Sequence, residues 1–211
     1  MASAAGETTT PDATAHLVGS VDPTSASPSS LHSRGDQFLT SGSTATIPEN
    51  ADSPVPIDTD GEISLSIEPL GLERGKLSAT GSVVYAGEDM HRVVTAPKEG
   101  GIQVATVLDD PKATHTIKYS LDASTRSELH ENHDGSLTLY ENGEPVAHIA
   151  APWARDRNGN VVHTFYRLTG ETSWEQVVET VEASRYPVVA DPWLWKSLIR
   201  DGRASSETTT G

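Results

Sequence analysis

The chain holds 211 residues, with 30 acidic and 15 basic side chains, a formal net charge of −15, no cysteine and only 5% aromatic residues. That length suits one domain of ordinary size with room for a tail. Disulfides, thiolate zinc sites and cysteine nucleophiles are excluded; no run of about twenty apolar residues offers a membrane span, and the acidic balance opposes nucleic-acid phosphate.

In residues 1–60, 37 positions are Ser, Thr, Ala, Pro or Gly, and eight acids face a single base, Arg34. Phe38 is the only aromatic residue of this stretch. Such a composition predicts a disordered acidic tail, because too little apolar surface is present to offset an ordering entropy of roughly 1–2 kcal/mol per residue. Two short apolar patches interrupt it, His16-Leu17-Val18 and Gln37-Phe38-Leu39, and these are candidates for docking on a partner. The opening MASAAGETTT lacks the basic and apolar regions of a secretory signal.

Residues 61–200 read as a β-rich globular domain, mainly an antiparallel meander or sandwich-like sheet. Ile63–Ile67 alternates with period two, as a half-buried strand does. Gly81–Tyr85, His91–Thr95, Gly101–Leu108 and His115–Leu121 follow as strands, with Asp109-Asp110-Pro111 as a stop between the last two. Asp134-Gly135, Asn142-Gly143 and Asn158-Gly159 then punctuate Ser136–Tyr140, Pro145–Ile149 and Val161–Leu168. These dipeptides supply the positive φ of tight hairpin turns. Ser173–Val181 carries apolar spacing compatible with a helix, but its β-branched content and the surrounding meander favour a strand. Asp191-Pro192 reads as an N-cap and first helical residue, predicting a short C-terminal helix over 193–199. The polar stretch 201–211 reads as a second disordered tail.

The segment Ala151-Pro-Trp-Ala-Arg-Asp-Arg-Asn-Gly-Asn160, with Thr164, Tyr166, Gly170 and Gln176-Val177 after it, closes on Tyr186-Pro-Val-Val-Ala-Asp-Pro-Trp193. Over this last third the chain resembles a module of uncharacterised secreted proteins of actinobacteria, which share an APWA-D-NG step and a closing YPVVADPxW. The resemblance implies an exported, β-rich module, at home in secreted competition or toxin assemblies, and it brings no catalytic residues with it.

Several residues are candidates for chemistry. His130-Glu-Asn-His133-Asp134 has the spacing to seed a metal site with His115 or His148, although not the His-Glu-x-x-His of metalloproteases. Asp156-Arg-Asn158-Gly-Asn160 begins like a calcium loop, but no Glu follows where the bidentate ligand is needed. Arg34 offers the first sixty residues' one tryptic site. No Gly-x-Ser-x-Gly and no phosphate-binding glycine loop occurs. Tyr186, Trp193 and Trp195 form the clearest candidate surface, because Trp and Tyr dominate interface hot spots. On a helix the two tryptophans diverge by about 200°, so one faces solvent or a partner.

The expectation is therefore a non-catalytic, secreted protein-binding or adaptor module without a cofactor, engaging another secreted protein through Trp193, Trp195, Tyr186, Arg34 and Phe38. The alternatives are a metal-binding protein or metal-dependent hydrolase using His130 and His133, and a pro-segment or inhibitor of a trypsin-like protease presenting Arg34.

Overall fold

Asn142 and Gly143 both take positive φ, 51° and 87°, as a two-residue type I′ hairpin loop requires. Glu141 and Glu144 pair directly across them. Gly135 and Gly159, in the two other expected turns, also lie at positive φ. The computed structural model to which these turns belong describes residues 10–22, 28–40, 45–57 and 62–196.

Those residues form one helix and eighteen strands. Helix α1 spans Pro11–Val21. The early strands are β1 (Leu31–Arg34), β2 (Gln37–Thr40), β3 (Thr46–Pro48), β4 (Val55–Pro56), β5 (Ser64–Ile67) and β6 (Lys76–Leu77). The middle ones are β7 (Val83–Ala86), β8 (Met90–Thr95), β9 (Ile102–Leu108), β10 (Thr116–Asp122), β11 (Ser127–Glu131) and β12 (Leu137–Glu141). The last are β13 (Glu144–Ile149), β14 (Trp153–Asp156), β15 (His163–Leu168), β16 (Ser173–Glu179), β17 (Val188–Asp191) and β18 (Trp193–Lys196).

Every strand pairing is antiparallel. The large sheet runs β11-β12-β13-β18-β9-β8-β7-β6, with β17 also on β9 and β14 on β17. A five-stranded sheet runs β15-β16-β10-β5-β4, and a small one β1-β2-β3. Side chains alternate across each strand, and one apolar core joins the inner faces. Ile102, Val104 and Leu108 of β9 and Leu137 and Leu139 of β12 meet Ile117 and Tyr119 of β10 and Trp174 of β16 there.

The opposite, outer face of the large sheet is divided. Val84, Val93, Ala105, Val107 and Val189 form a second apolar cluster with Ala15, Val18 and Val21 of α1. The helix thus lies across β7, β8, β9 and β17. Thr10 caps it, its hydroxyl oxygen accepting from the Ala13 amide, and Pro11 occupies the first turn. Asp12 accepts a hydrogen bond from the Ala79 amide at 2.7 Å. Over β11, β12, β13 and β18 no helix lies on the outer face among the described residues.

The mainly β, antiparallel architecture agrees with the sequence, and Ser173–Glu179 is a strand, as the surrounding meander suggests. Two expectations are corrected. The first sixty residues are not a featureless tail: their described parts supply α1 and β1 to β4, and Val18, Phe38 and Ile47 are buried. The two apolar patches dock on the chain's own domain. A segment laid against a preformed sheet needs only one apolar face of its own, so average composition misjudged it. Residues 1–9 and 201–211 lie outside the described residues.

The expected C-terminal helix is instead β18 in its described part. His148 pairs with Trp195, Ile149 with Leu194, and Leu194 also with Ile102. The strand fills the gap between β13 and β9 and satisfies both their edges. Gly101, at φ +78°, permits it: a Cβ there would lie 2.1 Å from the Leu194 carbonyl oxygen.

Candidate binding face

Strands β11, β12, β13 and β18 pair in the registers His130↔Thr138, Thr138↔His148 and His148↔Trp195, the second lying beyond a one-residue shift between Leu139 and Tyr140 that departs from the register of the Asn142-Gly143 turn. Because Leu129, Leu137, Leu139, Ala147, Ile149 and Leu194 turn inward, the intervening side chains turn outward. A row therefore crosses four strands on the open face: His130, Thr138, His148, Trp195.

Two groups of rings stand on this face, with Thr138 between them. His130 lies 5.1 Å from Tyr140, His148 4.6 Å from Trp195, and Trp195 5.5 Å from Trp193, centroid to centroid. In a strand, residues two apart share a face, so the tryptophans stand side by side rather than diverging. The Trp193 indole donates to the Gly100 carbonyl at 3.2 Å. Both rings are half-buried.

Polar groups hold the middle of the row. Asn132 donates from Nδ2 to the hydroxyl oxygens of Ser136 and Thr138, 2.9 Å each. The Thr138 hydroxyl lies 3.4 Å from Nδ1 of His148. Partial burial pushes the His148 pKa down, against a smaller upward pull from Asp134, which favours the neutral ring. Asp134 accepts from the Ser136 amide and hydroxyl, which hold its carboxyl below the usual range. His130 pairs with Glu128 at 3.0 Å, both side chains more than half exposed.

The other expected site residues lie elsewhere. Tyr186 donates to Thr180 at 3.1 Å, and its hydroxyl lies 3.0 Å from Nε2 of His115. That pair ties the approach to β17 to the end of β16 and the start of β10. Phe38 is 6% exposed and part of the core, so it does not present a docking surface. Arg34 is exposed at the end of β1, beside the tight turn into β2.

His130 stands at the end of β11 and His133 in the turn that follows it, while His115 is engaged by Tyr186. Among the described residues no three His, Asp or Glu side chains gather as a metal site. In the calcium-like turn, Asp156 is spent on the Asn158, Asn160 and Arg185 amides and on the Asn160 side chain. The turn is thereby closed by its own carboxylate.

Sequence reasoning missed Tyr140 and Thr138 as members of the face. The alternation of Leu137 and Leu139 with Thr138 and Tyr140 signals their faces, but the irregularity between Leu139 and Tyr140 shifts β13 by one residue and hides which residues stand opposite. It also missed the outer-face pair Gln103 and Asp191, because Asp191 looked like a helix cap. Comparison of the chain with protein-family models, curated proteins and solved structures returns no match.

Proposed function

We propose that this protein is a non-catalytic protein-binding module of a secreted assembly, and that its partner docks on the outer face of β11, β12, β13 and β18. One observation carries this reading: two outward ring groups, Tyr140–His130 and His148–Trp195–Trp193, flank Thr138 on the half of the sheet that α1 leaves uncovered. Contiguous apolar and aromatic surface on a soluble domain marks an interaction site, and tryptophan and tyrosine anchor such sites.

The partner that fits is a protein segment bearing Lys or Arg. The chain carries a net charge of −15, which steers basic partners toward it. Indole and phenol faces attract cations, and the Glu128 carboxylate stands at the rim, 64% exposed.

Selection of a random peptide display library on the full chain tests this. Basic peptides whose binding weakens at least tenfold in Trp195→Ala and falls with salt are the expected outcome. Peptides that bind Trp195→Ala and the native chain equally, or a selection with no enrichment of Lys and Arg, would overturn it.

A further inference from the structure

Strand β15 is the outermost strand of the five-stranded sheet. It pairs with β16 without a break from His163↔Glu179 to Leu168↔Trp174. In an antiparallel pair, residues that bond to the neighbour alternate with residues whose N–H and C=O point away from it. Two hydrogen bonds fix that alternation here. The Thr169 amide donates to the Ser173 carbonyl at 2.9 Å, just past the end of β15, and the Val178 amide donates to the His115 carbonyl at 2.8 Å, on the β10 side of β16. Even-numbered residues of β16 therefore bond toward β10, and odd-numbered ones toward β15. On β15, the backbones of His163, Phe165 and Arg167 face β16, while Thr164, Tyr166 and Leu168 direct N–H and C=O outward. Among the described residues no hydrogen bond reaches these outward backbone groups.

The other edges of the two larger sheets are protected. In β11 the amides of Ser127 and Leu129 donate to the carbonyls of Ser124, at 3.1 Å, and Glu171, at 2.7 Å. Strands β4 and β6 are two residues long, and β4 ends on Pro56. Beside β14, the Val162 amide donates to the Ala154 carbonyl at 2.9 Å. Short strands, proline and covering chain are how proteins keep a sheet edge from pairing. Strand β15 has six residues, no proline and no register shift. Its two cations are drawn back over the sheet, Arg167 onto Glu175 and His163 onto Glu179 of β16, so neither guards the edge. Leu168 shares the inward face of Tyr166, a core residue, yet it is 38% exposed where the strand ends.

We propose that β15 is a dimer interface, pairing antiparallel with β15 of a second copy of this chain about a two-fold axis at Tyr166 and joining the two five-stranded sheets into one. A second copy is the occupant because the edge is complementary to itself. About that axis Tyr166 meets its own counterpart and Thr164 meets Leu168, so every outward donor finds an outward acceptor. On the outer face Phe165 lies opposite the aliphatic stem of Arg167, and His163 opposite Thr169, with no like charges facing each other. On the inner face Thr164 of the second copy covers Leu168. The interface lies on an edge of the five-stranded sheet and the aromatic groups on the outer face of the large one, so dimer formation and peptide binding are separately measurable.

Sedimentation of the full chain over a range of concentrations, with amide exchange followed at both ends of that range, tests this. The mass should rise from monomer to dimer with concentration. In the dimer the Thr164, Tyr166 and Leu168 amides should exchange about tenfold more slowly, or slower still, than in the monomer, while the Phe165 and Arg167 amides are protected in both. Leu168→Lys, at an exposed position, should weaken the dimer about tenfold or more. Phe165→Lys, which sets a cation opposite Arg167 of the second copy, makes the same test should the first variant not fold. A chain that stays monomeric up to millimolar concentration overturns the proposal. So does a dimer that the folded variants leave intact, or one in which the three outward amides exchange as fast as in the monomer. Slow exchange of those amides at every concentration would show an edge already occupied, and overturns it too.

Discussion

Gln103 donates to the buried carboxyl of Asp191 at 2.7 Å, across the outer face of the large sheet where α1 ends. The same amide nitrogen donates to Asp22 at 2.9 Å, so one side chain ties the end of the helix to β17. Asp191 is 1% exposed, and burial drives its pKa up to about 8, with Asp22 adding to the rise and the Gln103 amide opposing it. An unfolded aspartate titrates near 3.9.

The folded state therefore holds the Asp191 proton more tightly than the unfolded state. Its contribution to stability is full below about pH 4 and is lost as pH rises toward 8. Asp191→Asn keeps an acceptor for Gln103 and removes the titration. Denaturant midpoints should show the native chain losing stability between pH 5 and 9, relative to Asp191→Asn, by several kcal/mol. Parallel profiles would show that Asp191 is already ionised in the fold.

Val18, on the sheet-facing side of α1, is 6% exposed and packs on the outer-face cluster of β7 to β9. Val18→Asp forfeits about 2 kcal/mol of apolar burial and places a carboxylate there instead. A fall in Tm of about 10 °C is expected by calorimetry. A floppy arm would tolerate the same substitution without change.

Gly101 faces the Leu194 carbonyl so closely that a Cβ would meet the oxygen at 2.1 Å, and its φ of +78° already disfavours any side chain. Gly101→Ala should therefore cost about 3 kcal/mol or more, by displacing β18. Near-ultraviolet dichroism of Trp193 and Trp195 would report the displacement. A substitution that leaves both stability and the dichroic bands unchanged would contradict the placement of β18.

On the binding face, Trp195→Ala removes the ring packed on His148. The affinity of a selected basic peptide should fall by at least 2 kcal/mol, the range of a hot-spot tryptophan, while Arg34→Ala leaves it within about twofold. Calorimetric titration measures both. An equal loss in the two variants would locate the contact elsewhere.

The hairpins were legible because Asn-Gly and Asp-Gly need positive φ, and the strands between them alternate with period two. Those two features give the hairpins and the inward and outward faces of the strands, but not the pairing of Thr138 with His148, which lies beyond a one-residue shift between Leu139 and Tyr140. The helix in the opening residues was signalled by Thr10-Pro11-Asp12, a cap and first turn, and by Ala15, Val18 and Val21 on one face. Its stability comes from a sheet far along the chain, which local composition does not disclose. At Asp191-Pro192 the opposite error arose. A cap-like pair precedes a strand, because pairing with both β13 and β9 outweighs two turns of helix. The polar interior around Arg92, with Thr106, Tyr119, Tyr166 and Trp174, could not be seen at all, since its members come from five strands spread along the chain from β8 to β16.

Hydroxyl-radical footprinting of the full chain tests most directly whether the outer face is half covered and half open. Trp193, Trp195 and Tyr140 should label readily, whereas Trp174, fully buried between the sheets, and Val107, beneath α1, stay protected. Trp195 protected as strongly as Trp174, or Val107 labelled as fast as Trp195, would contradict the division of that face.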